Sequence, residues 1–213
     1  MISIIARGAL TLAIVLGASP TLAETGTRSG IGFDLTVHGG LDKYDSVGLR
    51  SGLSSINFSD SDRLRDWSQS YGLTAIMRLG MLDVGALAEM GRPGKANSTA
   101  AVGGLVGLNF IVDRLQLDAL GELGGHRYGD ALHNTSVITD SNRTDWLMYV
   151  GLRPGVAVRL GEGGNILLGL WGFARWDLTS KDIPVTFADG SGNGTYKLGG
   201  TQFGAALRLG FSL

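Results

Sequence analysis

The stretch ELGGHRYGD, residues 122–130, holds the residues in this chain best suited to acid–base chemistry. Glu122 and His126 stand four residues apart, and Asp118 continues the row four residues upstream. In an extended chain, side chains alternate between two faces, so all three fall on the same side. An imidazole beside a carboxylate can act as a general base, which makes His126, Glu122 and Asp118 the catalytic candidates. His38 is a second imidazole of the same kind. Charge clusters also hold structures together without reacting. Which role applies depends on the elements that carry these residues. The chain shows no metal-ligand spacing, phosphate loop or nucleic-acid motif. A formal net charge of −1 argues against a nucleic-acid footprint, and no cofactor is implied.

The first residues read as an address rather than as part of a fold. Met1–Arg7 carries one positive charge, residues 8–18 form a short apolar run, and Thr21-Leu22-Ala23 supplies a small-x-Ala exit. That order is a secretory signal peptide over 1–23, leaving 24–213 as one exported domain. Exported proteins often rely on disulfides, yet this chain has no Cys. Glycine is abundant, at 35 residues, and each glycine in a helix costs roughly 1 kcal/mol relative to Ala. No apolar run in the mature part reaches the ~18 residues of a membrane-spanning helix.

Read with a period of two, the mature chain gives eight alternating segments: about 29–40, 70–80, 82–91, 99–110, 115–128, 144–160, 165–178 and 201–213. The apolar rows are regular. Ile31, Phe33, Leu35 and Val37 form the first, and Phe203, Leu207, Leu209, Phe211 and Leu213 the last. The connections alternate between short turns and long polar loops, the latter at about 41–69, 92–98, 129–143 and 179–197. An even strand count with short turns at one end and long loops at the other describes a transmembrane β-barrel. The aromatic residues on the apolar faces sort accordingly. Tyr71, Trp146 and Trp176 fall at the long-loop ends, and Phe33, Phe110 and Phe211 near the short turns. Two aromatic belts are expected where a protein crosses two membrane–water interfaces. The expected fold is therefore all-β: an eight-stranded antiparallel transmembrane β-barrel, an up-and-down meander. A hairpin hidden in 41–69, through Val47, Leu49 and Ile56, would make ten strands.

The opposite faces must then point into the barrel. They carry Asp34, Arg78, Glu89, Asp118, Glu122, Arg153, Arg159, Arg175, Asp177 and Arg208. Eight strands leave an interior that side chains can just fill, so near-equal numbers of arginines and carboxylates predict a paired plug. Pro154 lacks an N–H, and a closed barrel has no free edge to hide it on. A bulge is expected there, and a register slip would turn Arg159 outward. Arg127 falls on the outer face at a long-loop end, placed to snorkel or to meet a lipopolysaccharide phosphate. Loop 41–69, with Trp67 amid SDSDRLRDWSQS, is the expected site for an extracellular partner.

With its leader, eight amphipathic segments and final strand Phe203–Leu213, the chain resembles the small outer-membrane β-barrels of the OmpA-like and OmpX-like kind. That resemblance implies residence in a Gram-negative outer membrane and contact with its lipids and lipopolysaccharide. It also implies delivery by the barrel-assembly machinery, which reads a final strand with a terminal aromatic. Here the last residue is Leu213 and the aromatic is Phe211. The function expected is non-enzymatic: envelope integrity, or surface interaction and adhesion through the loops. The alternative is a lipid A-modifying barrel of the deacylase type. That type carries a His-x-Ser pair, whereas Tyr128 stands two residues after His126 and Ser136 lies in the loop beyond.

Overall fold

The computed structural model describes residues 30–45, 67–92, 99–128, 145–186 and 193–213. Its strands are β1 (Ile31–Asp45), β2 (Ser68–Leu79), β3 (Leu82–Arg92), β4 (Thr99–Val112), β5 (Leu115–Tyr128), β6 (Asp145–Leu160), β7 (Ile166–Asp177), β8 (Lys181–Thr186), β9 (Asn193–Leu198) and β10 (Thr201–Ser212). β1 to β7 follow one another round a closed antiparallel barrel, and β10 fills the gap between β7 and β1. The eight-stranded meander read from the sequence is therefore the fold of the chain. β8 and β9 pair only with each other. This hairpin lies within the connection read as a plain loop at 179–197. It is tied to the barrel rim by Asp177 N–H to Gly200 O at 2.9 Å and Leu178 N–H to Met148 O at 2.7 Å. The hairpin suggested for 41–69 falls mostly on residues outside those described. Its first residues, 41–45, extend β1.

The register fixes the shape of the barrel. Starting at Phe33, the paired residues run Met77, Val84, Val106, Gly121, Leu152, Ala174 and Phe203, and return to β1 at Lys43, ten residues higher. A stagger of ten over eight strands, with ~3.3 Å per residue and ~4.8 Å between strands, tilts the strands by about 40°. Each strand is thus raised by a little over one residue relative to its predecessor. The turn Gly80-Met81 joins the pair Leu79↔Leu82, and Gly80 has φ +66°, the left-handed first position that a tight two-residue hairpin favours.

The expected bulge at Pro154 is absent. The β5–β6 register runs unbroken through Ala119↔Pro154. On the β7 side the pairing skips Arg153 and Pro154 and resumes at Gly155↔Trp171 in the same register as Leu152↔Ala174. A missing N–H therefore omits rungs of the ladder without inserting a residue. Arg159 stays inside, 4% exposed.

Alternation sorts the barrel strands into two faces. Leu73 and Met77 on β2, Val106 and Phe110 on β4, and Leu207 and Phe211 on β10 are exposed, while Thr74, Arg78, Leu105, Asn109, Arg208 and Ser212 between them are buried. The exterior is apolar and most of the charge is interior, the reverse of a soluble barrel. The outward aromatics stand at two levels: Phe33, Phe110 and Phe211 toward the short turns, and Tyr71, Trp146 and Trp176 toward the long connections. Phe203 and the exposed Trp67 join the second level, their rings meeting edge-on with centroids 6.2 Å apart. Phe203 and Phe211 are eight residues apart on β10. That is about 20 Å along the axis at a tilt of about 40°, close to the ~25 Å apolar band of outer-membrane barrels.

Candidate functional site in the barrel lumen

The inward residues form three levels. Toward the short turns, Asp34, Arg78, Gln116, Asp118, Arg159 and Ser212 are all buried. In the middle, Ile76, Leu87, Leu105 and Leu120 from β2 to β5 form one apolar cluster with Trp171 from β7. Toward the long connections stand Glu89, Arg175, Tyr149, Gln202 and Asp42, again buried.

The upper level is organised by two carboxylates. Glu89 Oε1 lies 2.7 Å from His38 Nε2 and accepts from Arg153 Nη2 at 2.5 Å, and its other oxygen faces Arg175 Nη2. Glu122 accepts from Arg153 Nε through one oxygen and from Arg175 Nε at 2.7 Å through the other. Glu89, Arg153, Glu122 and Arg175 thus close a ring in which each charge touches two of the opposite sign. Arg175 also donates to Gln202 Oε1 at 3.3 Å. Gln202 in turn donates to Asp42, and Ser68 caps the other oxygen of Asp42. Buried charges are tolerated when paired and hydrogen-bonded in this way.

The lower level is an open chain. Arg78 Nη2 donates to Asp34 at 2.8 Å and to Ser212 Oγ at 2.5 Å. Ser212 Oγ also accepts from Arg159 Nη1 at 3.0 Å. Arg159 donates to Gln116 Oε1 at 2.7 and 3.0 Å, and Gln116 passes on to Asp118 Oδ1 at 2.8 Å. Asp118 ends the chain on Arg208. Arg159 also lies 3.8 Å from the second oxygen of Asp34, so Ser212 and Gln116 relay between direct ion pairs rather than closing them into a ring.

Trp171 joins the two levels. The Arg208 guanidinium lies 4.5 Å from its ring centroid and that of Arg153 5.2 Å, and the His38 ring meets its edge at 5.4 Å. Arg175 stacks likewise over Phe173 at 4.8 Å and Tyr149 at 5.0 Å. A guanidinium over an indole gains roughly 0.5–2 kcal/mol, most where water is excluded. Two glycines make the room. A Cβ at residue 155 would strike the Trp171 ring, and one at residue 72 would strike His38 and Glu89.

Of the residues singled out in the sequence, Asp34, Arg78, Glu89, Asp118, Glu122, Arg153, Arg159, Arg175 and Arg208 all come together in this interior. Asp177 stands apart at the rim, half-buried, accepting from Gly200 N–H at 3.0 Å. The acid–base candidates are arranged differently from the sequence expectation. Glu122 is engaged by two arginines and Asp118 by Gln116 and Arg208, while His126 is 2% exposed with its ring edge toward Tyr149, 6.2 Å between centroids. His38 makes a histidine–carboxylate contact with Glu89, with Thr74 Oγ1 3.5 Å from the other ring nitrogen. Sequence reasoning missed Trp171, Phe173, Tyr149, Asp42 and Gln116 as lumen residues. Their signal was positional, since Trp171 and Phe173 alternate in step with Arg175, and Gln116 with Asp118.

No protein-family model matches the chain, and no curated protein matches it. Among solved structures it is similar to the N-terminal β-barrel domain of Pseudomonas aeruginosa OprF. Identity is 12%, covering 85% of this chain and 97% of that one, with a TM-score of 0.51. Neisserial surface protein A, NspA, is 12% identical over 84% of this chain and 97% of its own, with a TM-score of 0.49. The outer membrane protein AlkL, solved in lipid bilayers, is 11% identical over 92% and 96%, with a TM-score of 0.42. The chain has the fold of the small eight-stranded outer-membrane β-barrels.

Proposed function

We propose that the chain is a non-enzymatic barrel of a Gram-negative outer membrane. It is exported by the leader 1–23, and its short turns face the periplasm. Its interior is a structural plug, and its contacts with the surroundings are made from the long-loop end. The supporting observation is the closed ring of Glu89, Arg153, Glu122 and Arg175, sealed on its inner side by Trp171 and the apolar cluster. Charges that neutralise one another across the lumen, with an apolar layer beside them, argue against a continuous polar path. Surface interaction or adhesion through the connection after β1 and the β8–β9 hairpin, support of the envelope, and delivery through the final strand to the assembly machinery complete this reading.

The test is conductance in planar bilayers. Protein showing the heat-dependent gel shift of a folded barrel should give no channel steps. Trp171→Ala, which opens the middle level, should give small ones. Steady channels from the unaltered protein would overturn the plug. The enzymatic alternative would use His126 with Glu122 or Asp118, and the burial and arginine pairing of these groups lend it no support. Lipid A from cells lacking the protein, expressing it, or expressing His126→Ala should have the same mass spectrum. Loss of one acyl group that depends on His126 would make β5 an active site.

A further inference from the structure

Lys43 occupies an unusual place on the outer wall. It belongs to the outward row of β1, with Phe33, Leu35, Val37 and Leu41, all of them exposed. It stands directly opposite Phe203 of β10. On its other side, Asp42 pairs with Ser68, so Trp67 falls beside Lys43. β10 and β2 flank β1 and are about 9.6 Å apart at ~4.8 Å per strand. The Trp67 and Phe203 rings are nevertheless only 6.2 Å apart. They therefore lean together over β1, at the level of Lys43. Lys43 is itself only partly exposed although it lies on the outward row of β1. Among the described residues its ammonium makes no ion pair. The two rims also differ. Near the short turns the outward strand positions are apolar: Ile31, Leu79, Leu82, Val112 and Leu115.

We infer that Lys43, Trp67 and Phe203 form a binding site for a phosphorylated lipid headgroup in the leaflet at the long-loop end, the phosphate taken by Lys43 and the adjoining acyl chain lying on the two rings. The inference rests on the proposed membrane orientation. An ammonium is a strong phosphate donor, aromatic rings favour the boundary between headgroup and hydrocarbon, and an aliphatic stem at the level of those rings presents its charge at that boundary. The outer leaflet of the proposed membrane supplies a lipid of this kind in lipid A, a phosphorylated glycolipid carrying several acyl chains.

The test is native mass spectrometry of the mature protein in detergent, its folded state checked by the heat-dependent gel shift. The probes are diphosphorylated lipid A, its dephosphorylated form and inorganic phosphate. The expected result is a bound diphosphorylated lipid A, with at least tenfold weaker binding of the dephosphorylated form and no competition by millimolar phosphate. Lys43→Gln and Trp67→Ala should each weaken binding about fivefold or more. Lys43→Arg and Arg114→Gln, the latter at the opposite rim, should leave it within twofold. Equal binding of both lipids, or binding unchanged in Lys43→Gln, would overturn the phosphate contact. Binding unchanged in Trp67→Ala would overturn the aromatic part. Full competition by phosphate would mean an ion site rather than a lipid site. Equal loss in Arg114→Gln would mean diffuse charge attraction. A folded barrel that fails these tests refutes the lipid site alone, whereas absence of the folded band refutes the membrane reading beneath it.

Discussion

The upper and lower halves of the lumen solve one problem in two ways. Both bury several charges inside a narrow barrel. Above Trp171, Glu89, Arg153, Glu122 and Arg175 close on themselves, so every charge has two opposite neighbours. Below it, Asp34, Arg78, Arg159, Asp118 and Arg208 are strung out through Ser212 and Gln116. In a ring, loss of one member strands two others. In a chain relayed through neutral groups, loss of a relay leaves each charge near its own counterion. The ring should therefore be the brittle part and the chain the tolerant one.

That contrast can be broken by measurement. Glu89→Gln should have the largest effect, about 4 kcal/mol of lost stability, because Arg153 and Arg175 remain buried with one carboxylate between them. The urea midpoint of unfolding from lipid vesicles would read it. Combining it with Glu122→Gln should depart from additivity by more than about 0.5 kcal/mol, the signature of groups acting as a unit. Trp171→Ala should cost about 3 kcal/mol, since it leaves a cavity and removes the ring on which Arg153 and Arg208 rest. Gln116→Ala should cost less, about 2 kcal/mol, the worth of hydrogen bonds to charged groups whose own counterions stay in place. A Gln116→Ala loss as large as that of Glu89→Gln would show that the two halves do not differ.

The barrel itself was legible from the sequence because period-two alternation is a local signal that repeats on every strand. Residue parity alone put Arg78, Glu89 and Arg208 inside and Tyr71, Trp146 and Phe211 outside. Which arginine meets which carboxylate was not legible. That depends on the ten-residue stagger, and the stagger becomes defined only where β1 meets β10, at opposite ends of the chain. Parity also admits Trp171 and Phe173 to the lumen, but what holds two aromatic rings in a polar row, the guanidiniums stacked over them, is a long-range pairing that no local pattern carries. Pro154 misled for the opposite reason. A local rule about donors suggested a bulge, whereas the ladder on the β7 side omits rungs and keeps its register. The β8–β9 hairpin escaped because its six-residue strands, one carrying Pro184, resemble a polar connection.

The joint between β1 and β10 has a kinetic consequence. Asp34, His38 and Asp42 enter from β1, and Gln202, Arg208 and Ser212 from β10. Nearly every link in both networks runs through one of these six or through a residue they touch. A half-inserted sheet, not yet closed, would hold its arginines in hydrocarbon with these partners still out of reach. Such an intermediate is too costly to accumulate. Insertion and closure should occur as a single cooperative event, with the interior acting as a checkpoint that only the correctly joined cylinder can pass.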